Sequence, residues 1–148
     1  MADEISPLRS EVIEKFIEIE SWMDCIISQH YFEKLKIGFV SEVLWDEYFS
    51  FALKRRVLLK ICQDLQGDIE SKLNRLNTIR NYFAHIGKKI TEGPDPNGPL
   101  RIPDPRDFTR SVNFTELYKE FVILEPPVAA ALIEAFKKKG GQAIKKST

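Results

Sequence analysis

An all-α fold, an up-and-down helical bundle of about five to six helices, follows from three features of the sequence. Apolar residues recur at spacings of three and four over most of the chain. Glycines and capping residues punctuate those runs where helices should stop and start. No strand signal stands out, except inside one proline-rich loop. With 148 residues, 43% hydrophobic and 30% charged, the chain can form one core without disulfides or metals, and residues 1–148 are expected to make a single domain.

The elements are taken in order. Residues 1–6 read as a flexible lead-in, with Ser6 as N-cap and Pro7 at the first helical position. Helix one should then run to about Ser28. Its apolar residues, including Val12, Phe16, Ile17, Trp22, Met23 and Ile27, cover more than one narrow stripe, so it should be buried on two sides, by its own core and by a partner. A short helix is expected at Phe39–Leu44 after Gly38. Helix three should begin near Asp46 or Ser50 and reach about Gln66, with Ala52, Leu53, Val57, Leu58, Ile61, Cys62 and Leu65 facing inward. Lys54, Arg55, Arg56 and Lys60 are placed on or beside its exposed face, either as a solvated cluster or as a nucleic-acid footprint. Gly67 leaves so short a connection that helices three and four should form an antiparallel hairpin.

Helix four should open with Asp68 as N-cap and close at Gly87. Ile69, Leu73, Leu76, Ile79, Phe83 and Ile86 form its buried stripe. Lys88 to Ser111 then holds five of the eight prolines and should be a loop, either a lid over the end of helix four or a surface excursion. In the first case Lys88, Lys89, Arg101, Arg106 or Arg110 would reach a phosphate. Helical patterning resumes near Asn113, breaks or restarts at Pro126-Pro127, and ends at Gly140-Gly141, leaving a flexible basic tail over residues 140–148.

Several function classes are excluded by what the sequence lacks. No apolar run approaches the roughly 20 residues needed to span a bilayer, and the acidic start does not read as a signal peptide, so no membrane association and a cytoplasmic location are expected. Cys25 and Cys62 are isolated and serve as small apolar residues on helices. There is no glycine-rich phosphate loop and no paired Cys/His spacing, so neither a cofactor nor a metal is expected. The formal net charge of zero conceals an asymmetry. Residues 1–50 hold 4 basic and 11 acidic side chains, and residues 51–90 hold 9 basic and 3 acidic. The basic surplus either meets a polyanion or packs against the acidic segment or another subunit.

The basic segment contains Leu76-Asn77-Thr78-Ile79-Arg80-Asn81-Tyr82-Phe83-Ala84-His85. At about 100° per residue, Asn81 and His85 share a helix face that Asn74 and Thr78 flank. A solvated face would carry Lys and Glu; this one carries uncharged hydrogen-bonding groups and an imidazole. Arg80 falls at the edge of the apolar stripe, beside Leu73 and Leu76. It should therefore lie along the stripe and present its fork at a cleft or subunit boundary.

This stretch resembles the signature helix of HEPN domains, whose hallmark is an Arg, a polar residue, three more residues and a His. The resemblance covers Pro7 to Ile86. It implies a HEPN-like metal-independent endoribonuclease, a toxin or a defence or stress enzyme, with RNA as substrate. Arg80, Asn81 and His85 would be the catalytic residues, and Lys88 and Lys89 would bind substrate. It also implies a homodimer that brings two motifs to one cleft, and possible control by a separately encoded antitoxin or regulatory protein. The Tyr that a nucleotidyltransferase modifies in one HEPN toxin subgroup lies two residues past the His, where this chain has Gly87. The alternative is a non-catalytic regulatory or protein-interaction module resembling the mannitol repressor, in which the same residues form a hydrogen-bonded knot.

The chemistry suits the residue types. RNA cleaves without metal when its 2′-hydroxyl attacks the adjacent phosphate, given a base, an acid and cover for the charged intermediate. Histidine, with an ordinary pKa of about 6.5, can exchange protons near neutrality. A guanidinium matches phosphate bidentately and stays charged throughout. Asn81 would fix the imidazole tautomer or hold a phosphate oxygen. His30 is read as an incidental helix-end residue.

Overall fold

A computed structural model describes residues 2–32, 37–84, 101–104 and 107–141. The chain is an all-α bundle with one small hairpin attached. Its helices are α1 (Ala2–Phe32), α2 (Ile37–Phe39, continued as π-helix over Val40–Leu44), α3 (Phe51–Ile61), α4 (Asp68–Ala84) and α5 (Phe114–Phe136). A short 3₁₀ turn, Gln63–Leu65, follows α3, and a π-helical turn, Lys137–Gly141, closes α5.

Helix α1 is the axis of the bundle. Helices α3, α4 and α5 all pack on it, which accounts for its broad apolar surface. Val12, Phe16, Ile19, Met23, Ile26 and Ile27 are buried, and Trp22 packs its ring 5.4 Å from Phe136. The second side expected to need a partner is thus covered mostly by the chain's own helices, with Ile17 left 57% exposed. Helix α1 also starts earlier than expected. It runs through Pro7 rather than beginning there, so Ser6 is not its N-cap, and it continues past Ser28 to Phe32. Pro7 costs one backbone hydrogen bond near the helix start, where the ladder is weakest.

Helix α3 departs further from expectation. Ser50 is its N-cap, accepting from the Leu53 N–H at 3.2 Å. The face turned to α1 is Lys54, Leu58 and Ile61, spaced four and three, while Ala52 and Leu53 are exposed. Lys54, placed by its charge on the outer face, is 4% exposed. Its ammonium lies 3.1 Å from Asp24 Oδ1 and 3.3 Å from Glu20 Oε2, both four residues apart on α1. Two carboxylates on one turn of α1 hold a lysine where an apolar residue would otherwise sit.

Gly67 takes the left-handed φ of 92° and turns the chain into α4. It is Gly67, not Asp68, that caps the helix. Its carbonyl accepts from the Ser71 N–H, and its N–H donates to Glu70 Oε1 at 3.4 Å, the reciprocal arm of a capping box. Asp68 instead pairs with Lys72 at 3.0 Å along the first turn. Helices α3 and α4 both pack on α1, and the groove between them is bridged by a hydrogen bond from Arg55 to Asn74.

The hairpin, β1 (Arg101–Asp104) and β2 (Asp107–Asn113), lies at the end of the proline-rich stretch and pairs Ile102 with Val112. Asn113 caps α5, accepting from the Glu116 N–H at 3.2 Å. Helix α5 does not break at Pro126-Pro127, as expected, but runs unbroken to Phe136. The carbonyls deprived of partners by the two prolines belong to Val122 and Ile123, which are exposed, so water can satisfy them. Tyr118 on α5 donates its hydroxyl to Glu11 on α1, and Arg75 forks onto Glu120 with two bonds of 2.8 Å.

Among the described residues no helix is long and apolar enough to cross a membrane.

Candidate functional site

The motif helix is held in phase by its apolar side. Leu73, Leu76, Ile79 and Phe83 are buried, and the Phe83 ring lies 5.2 Å from Phe114 at the start of α5. With that side fixed, Asn81 must face out, and it is exposed. Arg80 is left at the margin between the two. Its guanidinium sits 4.6 Å above the Phe16 ring of α1, and Nη2 donates to Asn77 Oδ1 at 2.7 Å. Nε is buried and meets no acceptor, and among the described residues no carboxylate lies within salt-bridge distance of Arg80. A cation stacked on an aromatic face and oriented by a neutral amide keeps its positive charge available for an anion.

The same arrangement recurs one step up the groove. Arg55 on α3 donates to Asn74 Oδ1 on α4, and its Nε is likewise buried without an acceptor. Asn74 also anchors Thr78, whose hydroxyl donates to the Asn74 carbonyl at 3.0 Å. Beneath Arg80 the buried Phe16 ring packs against Phe51 of α3 at 5.1 Å. At the far end of α4, Arg9 on α1 reaches the Ala84 carbonyl at 3.5 Å.

His85, Lys88 and Lys89 lie outside the described residues, as do Gly87 and most of the expected loop. The structure therefore places Arg80 and Asn81 toward one end of α4, where Arg9 reaches the Ala84 carbonyl. Sequence reasoning missed Arg9, Asn77 and the link between Arg55 and Asn74. Asn77 could have been found from its spacing, three residues before Arg80 on one helix face. Arg9 and Arg55 gave no such signal, since their positions depend on how α1 and α3 pack.

His30 is exposed at the end of α1, its ring edge-on to Tyr31 at 4.9 Å. Partial burial, reinforced by the Lys139 charge, lowers its pKa. Cys25 and Cys62 are free thiols whose pKa values burial pushes up, and neither lies in this groove's hydrogen-bond network. Among the described residues, no group of three or more His, Cys, Asp or Glu comes together.

Chemically, the groove offers guanidinium and amide groups, an arrangement suited to phosphate oxygens. Comparison of the chain with protein-family models, curated proteins and solved structures gives no match.

Proposed function

We propose that this chain is a HEPN-like metal-independent endoribonuclease, with Arg80, Asn81 and His85 as its catalytic residues and RNA as its substrate. The observation that carries the proposal is Arg80: a half-buried guanidinium, stacked on Phe16 and oriented by Asn77, with no carboxylate among the described residues to neutralise it. In the proposed reaction Arg80 covers the charge that builds on the attacked phosphate. His85 transfers a proton, and Asn81 orients the imidazole or a phosphate oxygen. A second copy supplies the second histidine across a two-fold axis. A monomer mass by light scattering at working concentration would argue against that part.

The test is the product. Purified protein with RNA in excess chelator should yield a 2′,3′-cyclic phosphate and a 5′-hydroxyl, and should spare DNA of the same sequence. Methylating the 2′-hydroxyl at the cut site should abolish cleavage. His85→Ala should slow it by about 10²–10⁴-fold with the fold intact. Cleavage that survives 2′-O-methylation refutes the mechanism.

One observation favours the second reading, a non-catalytic regulatory or interaction module. Arg80 is already engaged by Asn77 and Phe16 in the free chain, as a tether between α1 and α4 would be. Absence of cleavage together with a strong loss of stability in Arg80→Ala would select it.

A further inference from the structure

Beside the groove lies a cavity of about 530 Å³ that the proposed chemistry does not use. Its polar lining is Arg55, Arg56 and Lys60 from α3 and Gln66 and Glu70 around the turn into α4, and Ala52, Leu53 and Leu59 supply the apolar part. Three cations face one carboxylate, and that carboxylate is committed, since Glu70 accepts the Gly67 N–H as part of the helix cap. Gln66 is also fixed, donating to the Leu59 carbonyl at 3.2 Å. Arg56 and Lys60 are exposed, four residues apart on one face of α3, and no carboxylate among the described residues pairs with either.

Arg55 joins this cavity to the motif. It lines the cavity and also bonds Asn74 across the groove. From Asn74 the α4 surface leads through Asn77 to Arg80, about 9 Å along the helix axis at ~1.5 Å per residue. Cations therefore stand at intervals along one groove: Lys60 and Arg56, then Arg55, then Arg80. The bond from Arg55 to Asn74 closes the helices over their shared core, so a ligand would lie along the outer rim of the groove, where Arg56 and Lys60 are exposed.

We infer that the α3–α4 groove is a track for single-stranded RNA, in which Arg56 and Lys60 hold backbone phosphates several nucleotides from the one at Arg80. The inference rests on the ribonuclease reading for the identity of the polyanion. Cations at more than one point along the groove, rather than a single cluster, favour an extended phosphate backbone over a lone anion. Contacts to backbone phosphates carry no sequence information, so binding through Arg56 and Lys60 should be indifferent to sequence.

The test separates binding from cleavage. A fluorescein-labelled, fully 2′-O-methylated oligoribonucleotide is titrated by anisotropy between ~50 and ~200 mM salt. Wild-type protein should bind with a steep salt dependence. The double variant Arg56→Gln/Lys60→Gln, which alters only exposed side chains, should keep its melting temperature and bind more weakly. Its log–log salt slope should be shallower by about 1.4, roughly 0.7 per lost single-strand phosphate contact. Unchanged affinity and slope in the double variant overturn the track, even if unmodified RNA is still cut. Binding that behaves as expected while unmodified RNA stays intact supports the track and refutes the ribonuclease reading. Equal affinity for polyglutamate, with the same slope, overturns the assignment to nucleic acid.

Discussion

Replacing Lys54 by Met should cost far more than a surface lysine would. The ammonium is held 3.1 Å from Asp24 and 3.3 Å from Glu20, in side chains only 6% and 3% exposed for Lys54 and Asp24. Burial already raises the Asp24 pKa, and Lys54 is the main influence pulling it back down, helped by a hydrogen bond from Trp45. Methionine fills the same space and leaves Asp24 buried without its counter-charge. Breaking one side of such a pair typically costs about 3–5 kcal/mol. For a chain of this length that lowers the melting temperature by on the order of 10 °C. The deficit has a pH signature. A carboxyl whose folded pKa lies above its unfolded value stabilises the fold below the unfolded pKa, and that contribution is lost as pH rises through the folded pKa. The gap between variant and parent should therefore be full at neutral pH and shrink as pH falls toward about 4. Denaturant melts of both proteins at several pH values would measure it. Adding Asp24→Leu should restore most of the loss, since an apolar pair of similar volume replaces the charges. A single variant that loses less than about 1 kcal/mol, or a gap independent of pH, would refute the reasoning.

Three further outcomes follow from the geometry. Arg80→Lys should lose RNA cleavage almost as fully as Arg80→Ala, because a lysine keeps the charge but not the planar fork; measured rates for the two should agree within about tenfold. Gly67→Ala should destabilise by about 1 kcal/mol in denaturant melts, because φ of 92° penalises a side chain although nothing lies within 4 Å of the added carbon. His30 has a folded pKa below its ordinary value, so its contribution is full above about pH 6.5 and is lost as pH falls through the folded value; His30→Gln should flatten that limb of the stability–pH curve.

Much of the fold was legible in the sequence because apolar periodicity holds along α4 and caps fall at Ser50 and Asn113. The misreadings share one cause, which is reliance on local preference where tertiary packing decides. Lys54 looked like surface because lysine is rarely buried. Only the facing Glu20 and Asp24 on α1 make its site tolerable, and nothing in α3 itself reveals them. Pro126-Pro127 looked like a break, yet two carbonyls open to water cost little there. The breadth of α1 read as its own core plus a partner, and three helices of the same chain take most of that surface, leaving Ile17 exposed. At the site, the edge position of Arg80 followed from the helical wheel. Its stacking on Phe16 did not, because 64 residues separate the two in the chain.

The Lys54 ion pair also bears on the groove. Consecutive residues of a helix point about 100° apart, so Lys54, Arg55 and Arg56 leave α3 in three directions: into the core, across the groove and toward the cavity. A buried ion pair adds little net stability, but it can fix which face of a helix turns inward. If the pair sets the phase of α3, removing it should loosen the bond between Arg55 and Asn74 even when stability recovers. The measurement is a double-mutant cycle, Arg55→Ala with Asn74→Ala, made in the parent and in the Asp24→Leu/Lys54→Met background. The parent should show a coupling of about 0.5–1.5 kcal/mol, and the background without the pair should show less than half of it. An equal coupling in both backgrounds would mean that Leu58 and Ile61 hold the phase alone, and that Lys54 serves only to neutralise Asp24.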